Sequence, residues 1–154
     1  PVKMVYCRKQ HDYAEMDVES HAMVTIGFED GRTAVIDTTA MCFAPKPRFL
    51  ALGSRGTFTK FGTDPQEAAI ARGSLEIVHE DPGAWGTLAS AEGQRRIQTI
   101  PGSWLSYYQQ LGDALARWPE VELPVTAESA ARVIAVLEAA AESAATGRAV
   151  VLNV

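Results

Sequence analysis

A chain of 154 residues, 47% hydrophobic and 21% charged, is long enough for one domain with a single core. A net charge of −5 with scattered basic residues argues against a nucleic-acid binder, and no apolar run reaches the ~20 residues needed to span a bilayer. Cys7 and Cys42 lie outside any C-x-x-C pair, which suits reduced thiols and a cytoplasmic location.

The chain opens on Pro1 directly into Val2–Arg8, a strand by its β-branched and aromatic residues, as expected of a domain taken from something longer. After a polar connection, 18–28 alternates. Val18, Ser20, Ala22, Val24, Ile26 and Phe28 face one way, and Glu19, His21, Met23 and Thr25 the other. Asp30-Gly31 then predicts a hairpin turn into a partner strand over 33–43. Pro45 and Pro47 cannot donate to a ladder, so the segment before Arg48 is a loop or an edge.

Arg48–Leu52 and Thr57–Phe61 read as strands around the turn "GSRG". The phosphate-loop alternative fails there, because Gly56 leads into the strand pattern "TFTKF" and no G-x-x-x-x-G-K-[ST] or G-x-G-x-x-G follows. "TDPQEAAIARG" predicts a short helix capped by Thr63 or Asp64, with Pro65 at its first position and Gly73 at its end. Ser74–Glu80 reads as a strand, "DPGAWGTLASAEGQ" as a mobile loop, and "RRIQTI" as a strand. Two helices follow. Ser103 caps the first, with Leu105, Tyr108, Leu111, Leu115 and Trp118 near helical spacing. Thr126 caps the second, whose apolar stripe runs through Ala130, Val133, Ile134, Leu137, Ala140, Ala141 and Ala144 to a stop at Gly147. "RAVVLNV" closes as a strand. Strands first and helices late make the class α+β.

No complete catalytic set is visible. The histidines, His11, His21 and His79, have no metal-ligand spacing, and no G-x-S-x-G is present. For His21 a solvated or hydrogen-bonded structural role is favoured over catalysis. Asp37, mid-strand, suits the exposed face of a one-sided sheet. Lys46 and Arg48, in the proline-rich loop, are the basic residues best placed over a polar ligand, against the reading of a simply solvated loop. Trp104 in the first turn of its helix can face a cleft, although aromatics at helical spacing are usually core.

The order "FEDGRTAVIDTTA", "PRFLALGSRGTFTKFGTDPQEAAIARG", "WLSYYQQLGDAL" and "LPVTAESAARVIAVLEAAAESAATGRAVVL" resembles the C-terminal domain of Gfo/Idh/MocA-type NAD(P)-dependent oxidoreductases, in the branch containing scyllo-inositol dehydrogenases. The resemblance runs from about Asp12 onward. It implies a large, mostly antiparallel open sheet with helices packed on one face, like the C-terminal domain of glyceraldehyde-3-phosphate dehydrogenase, over a single domain of residues 1–154. It also implies that NAD or NADP and the catalytic residues belong to a Rossmann half this sequence lacks, so that no cofactor, metal or catalytic residue is expected in this chain. The expected partners are that missing Rossmann domain, a sugar or polyol substrate, and a second copy joined through the sheet as a dimer or larger oligomer. By position, the resemblance places Phe43, Lys46, Arg48 and Trp104 near the substrate, and Lys60, Asp64 and Gln66 at the rim. The loop before "PRF", here "MCFAPK", varies among relatives of the family and leaves the substrate open. The alternative is a stand-alone, non-catalytic binding or assembly module that has lost the Rossmann half.

Overall fold

The computed structural model describes residues 1–152. In chain order the elements are β1 (Val2–Gln10), β2 (His21–Phe28), β3 (Thr33–Thr39), β4 (Phe49–Gly53), β5 (Gly56–Lys60), α1 (Gln66–Ala71), a short 3-10 helix (Pro82–Ala84), β6 (Gly86–Ser90), β7 (Gly93–Ile97), α2 (Trp104–Ala116), α3 (Ala127–Thr146) and β8 (Val150–Val151). They form two compact units. One comprises Pro1–Phe43 together with the chain from Val125 onward, and the other is Ala44–Pro124. The α+β class and the antiparallel pairing hold throughout. The expected large sheet is present as two four-stranded sheets, one in each unit, ordered β3-β2-β1-β8 and β4-β5-β6-β7.

In the first unit the alternation read from sequence sets the register. Val5 lies opposite Ile26 and Cys7 opposite Val24, and β2 and β3 pair across the Asp30-Gly31 turn. The core is Val5, Cys7, Ala139 and Ala140, with Val24, Val136, Ala144 and Val150 packed around it. Small alanines let α3 sit close on β1, a contact larger side chains would hold apart. The stripe expected for α3 holds at Ala140 and Ala144 and is corrected at its larger residues. Its buried face runs through Ala139, Ala140 and Ser143, while Val133, Ile134 and Leu137 stay exposed.

Ser143 ends this packing with a polar step. β8 is only two residues long and pairs with Met4 and Val5, so it stops short of Cys7. Continuing that register would bring Arg148 opposite Cys7. Instead the fully buried Ser143 hydroxyl lies between them, accepting from Cys7 N–H at 2.8 Å and donating to Arg148 C=O at 2.6 Å. A helix side chain thereby satisfies two backbone groups where the ladder runs out.

In the second unit three antiparallel pairings follow one another, two of them hairpins and β5–β6 joined through α1, with Thr59 opposite both Leu50 and Thr87, and Thr87 opposite Arg96. Two expectations fail here. Ser74–Glu80 is not a strand: β5 already pairs with β4 and β6, and this segment joins neither outer edge of the sheet. The stretch read as a mobile loop contains β6. Its small residues hid a strand whose Gly86 is packed so tightly that a Cβ there would overlap the Phe58 ring. Gly93, at φ 119°, makes the reversal into β7, and the strand expected over 95–100 starts two residues earlier, at Gly93. The amphipathic stripe expected for α2 is likewise mostly exposed at Leu105, Tyr108, Leu115 and Trp118, and Ala114 is the helix's buried residue.

Candidate functional site

The second unit assembles two polar networks from residues adjacent to its sheet. The first centres on Lys60, the last residue of β5. Its ammonium donates to both Glu80 carboxylate oxygens, at 2.8 and 2.7 Å, and to Ala84 C=O at 3.0 Å, while the Thr99 hydroxyl donates to Glu80 at 2.6 Å. Both charged side chains are largely buried, 12% and 7% exposed. Hydrogen bonds from Lys60 and then Thr99 hold the Glu80 carboxyl below the ordinary glutamate range, outweighing the opposing effect of burial. All three Lys60 protons therefore have acceptors, and the geometry makes this residue a tie between β5 and the irregular 74–85 segment.

The second network links the start of α1 to the start of α2. Asp64 accepts from Gln66 N–H at 2.9 Å through one carboxylate oxygen and from Gly102 N–H at 3.1 Å through the other. Gln66, buried at 3% exposure, accepts from Trp104 N–H at 2.7 Å through its side-chain oxygen. Ser103 caps α2 by accepting from Ser106 N–H. Gly102 is required for the approach, since a Cβ there would overlap an Asp64 carboxylate oxygen. The outcome is a helix start fixed by three side chains, with the Trp104 indole 47% exposed at its tip.

The structure thus brings Asp64, Gln66 and Trp104 together and puts Lys60 in a separate tie. Phe43, fully exposed, closes the first unit, whereas Lys46 and Arg48 lie where the second begins. The Arg48 guanidinium lies 6.0 Å from the ring centre of neighbouring Phe49, at the limit of a cation–π contact. The sequence reading missed Glu80, Thr99 and Gly102. Glu80 and Thr99 fell inside supposed strands, and nothing local to Gly102 marks it out.

On the sheet of the first unit, His21 has partners on both ring nitrogens: Gln10 Oε1 at 2.7 Å and Asp37 Oδ1 at 3.0 Å. Gln10 is its cross-strand neighbour, and Asp37 lies diagonally, opposite Met23. This is a hydrogen-bonded histidine on a strand face, with Asp37 supplying a partner that spacing alone did not reveal. Among the described residues no cluster of three or more His, Cys, Asp or Glu is arranged to hold a metal, and no helix is long and apolar enough to cross a membrane. The Gly53–Gly56 turn joins two antiparallel strands and leads into no helix N-terminus that would receive a phosphate, so that turn is not a phosphate loop.

Residues 1–152 match the model of an oxidoreductase family, its C-terminal alpha/beta domain, GFO_IDH_MocA_C. The chain belongs to the Gfo/Idh/MocA oxidoreductase family. Among curated Gfo/Idh/MocA-like relatives, it is 34% identical over 120 residues to the uncharacterized oxidoreductase YdgJ of Escherichia coli, covering 73% of this chain and 34% of that protein. It is also 34% identical over 118 residues to scyllo-inositol 2-dehydrogenase (NADP(+)) IolW of Bacillus subtilis, covering 70% and 32%. The solved structure of the oxidoreductase yvaA from Bacillus subtilis superposes with a TM-score of 0.87 at 26% identity, over 98% of this chain and 46% of that one. The chain therefore spans about a third of the length of the curated relatives it matches.

Proposed function

We propose that this chain is the substrate-side and self-association domain of an NAD(P)-dependent sugar or polyol oxidoreductase, and that it is catalytically incomplete by itself. The observation that carries the substrate-side reading is the fixed start of α2. Asp64 and Gln66 pin the backbone at Gly102 and Trp104, so the half-exposed indole is presented from a rigid helix end. A preorganised aromatic surface flanked by polar groups suits the apolar C–H face of a ring whose hydroxyls need hydrogen bonds. The relative IolW, named for an inositol substrate and NADP(+), supports that substrate class.

In this reading the residues of the chain bind, orient and exclude water around the substrate, and hydride transfer belongs to a cofactor held elsewhere. The uncovered sheets, with Val35, Ile36, Leu50 and Leu52 exposed, are where the domain meets a second copy.

The test adds inositols and simple sugars to the chain and follows indole and backbone amide shifts by NMR. Saturable shifts at Trp104, abolished in Trp104→Ala, are expected, with no reduction of NAD or NADP. Turnover by these 154 residues alone would overturn the incompleteness of the domain. Polyol shifts that persist in Trp104→Ala would overturn the role of the indole.

A further inference from the structure

One face of the second unit's sheet changes character across its width. Two rungs of cross-strand neighbours run over it, Leu50–Thr59–Thr87–Arg96 and Leu52–Thr57–Ala89–Gln94. Each rung is leucine at β4, whereas over β5–β7 the face is hydroxyl, amide and guanidinium around a small alanine. A cleft of about 480 Å³ lies on that polar part, within the size range of small-molecule sites. With strands ~4.8 Å apart and rungs two residues apart, the floor measures roughly 10 by 7 Å, room for one six-carbon molecule.

Two cations hold the wall beside this floor. Arg96 donates through Nη1 to Thr87 Oγ1 at 3.0 Å, and through Nη2 to Pro82 C=O at 3.1 Å and to Gly83 C=O. Lys60 takes the next carbonyl, Ala84, at 3.0 Å. Three successive carbonyls of the 3-10 turn are thereby fixed, and Trp85, directly after them, lines the cleft together with Phe61. The floor groups have no such partners. The Thr57 and Thr59 hydroxyls and the Gln94 amide make no hydrogen bond to the other described residues, and the Thr87 hydroxyl, accepting from Arg96, keeps its own proton. Arg96 has no carboxylate partner among the described residues, and its Nε–H and one Nη1–H are left without an acceptor.

We propose that this cleft binds a sugar acid, a six-carbon aldonate or uronate, independently of Trp104, which does not line it. Arg96 meets the carboxylate, the threonine hydroxyls and Gln94 meet the ligand hydroxyls, and the Phe61 and Trp85 rings flank the apolar C–H face. One guanidinium with two protons left to give suits a carboxylate monoanion better than a phosphate dianion.

NMR titration of the chain with D-gluconate, D-glucuronate and, as a neutral control, D-glucose tests this. The expected result is saturable movement of the Trp85 indole and of the Thr57, Thr59 and Thr87 amides with either acid, weakened by added salt and at least about tenfold weaker with glucose. Arg96→Gln should weaken gluconate binding by about tenfold or more. Because Arg96 also holds the 3-10 turn, Thr59→Val is the second variant. The hydroxyl it removes bonds to nothing else among the described residues, so the fold stays intact while binding falls about threefold to tenfold. Trp104→Ala should leave gluconate binding unchanged. Shifts confined to Trp104 and lost in Trp104→Ala would overturn this site and leave the reading of the α2 start standing. Glucose binding as tightly as the acids would overturn the sugar-acid assignment, and no saturable shift at Trp85 with either acid would overturn the site altogether.

Discussion

Replacing Ser143 by alanine removes one oxygen atom from the interior and leaves two backbone groups to be accounted for. The hydroxyl takes a hydrogen bond from Cys7 N–H at 2.8 Å and gives one to Arg148 C=O at 2.6 Å, in a site with no solvent exposure. A buried donor or acceptor left unsatisfied costs about 1–3 kcal/mol, and the space vacated by one oxygen is too small for water. Loss of both partners therefore destabilises by about 3 kcal/mol, allowing for some inward movement of the strand end. For a chain of this size that corresponds to a fall of ~6–12 °C in melting temperature. Urea unfolding of the wild type and Ser143→Ala, followed by far-ultraviolet circular dichroism, measures it. Amide exchange gives a local check, since Cys7 N–H should lose more protection than Val5 N–H one turn of the pleat away. A loss below ~0.5 kcal/mol, with Cys7 still protected, would show that Arg148 closes directly onto Cys7 and that the hydroxyl is dispensable.

The Lys60–Glu80–Thr99 tie gives a pH dependence of definite sign. Glu80 has a lowered pKa in the folded chain, so its stabilisation is complete above the ordinary glutamate value of about 4.3 and is lost as pH falls through the folded value. Glu80→Gln should lower stability at neutral pH and flatten this acid limb, and an unchanged limb in denaturant titrations from neutral to acidic pH would contradict it. Gly102→Ala places a methyl group against the Asp64 carboxylate and should cost about 1–3 kcal/mol, with a displaced Trp104 indole signal in NMR. A Gly102→Ala spectrum that superposes on the wild type would show that the α1–α2 link gives way without cost.

The local grammar of this fold was legible wherever a residue type has one cheap use. Asp30-Gly31, Ser103 and Thr126 all act as read, because turn and cap chemistry is decided within a few residues. What failed depends on distant partners. Ser74–Glu80 has strand alternation, yet β5 offers it no edge. β6 opens on Gly86, which must admit the Phe58 ring, and its glycine-rich surroundings looked like loop. On α3 the larger side chains predicted the wrong face, since close approach to β1 selected alanine and serine instead. The site was legible only in part. Asp64 and Gln66 stood out beside a helix start, but their link to Gly102 and Trp104 spans 38 residues, and no local pattern announces it.

Leu152 N–H donates to Lys3 C=O at 2.9 Å, so the two ends of the described chain are ladder neighbours at the same corner of the first sheet. The second unit, by contrast, leaves the first at Phe43 and returns at Val125 as a loop-like insertion. A glycine linker from Leu152 back to Pro1, with new termini opened in the 44–48 segment, would therefore permute the described chain without breaking a strand. In such a permutant the second unit becomes a contiguous terminal module and the first, now split in sequence, becomes continuous. The same corner also sets a geometric condition on fusions, because Pro1 lies only two residues from Lys3, the partner of Leu152.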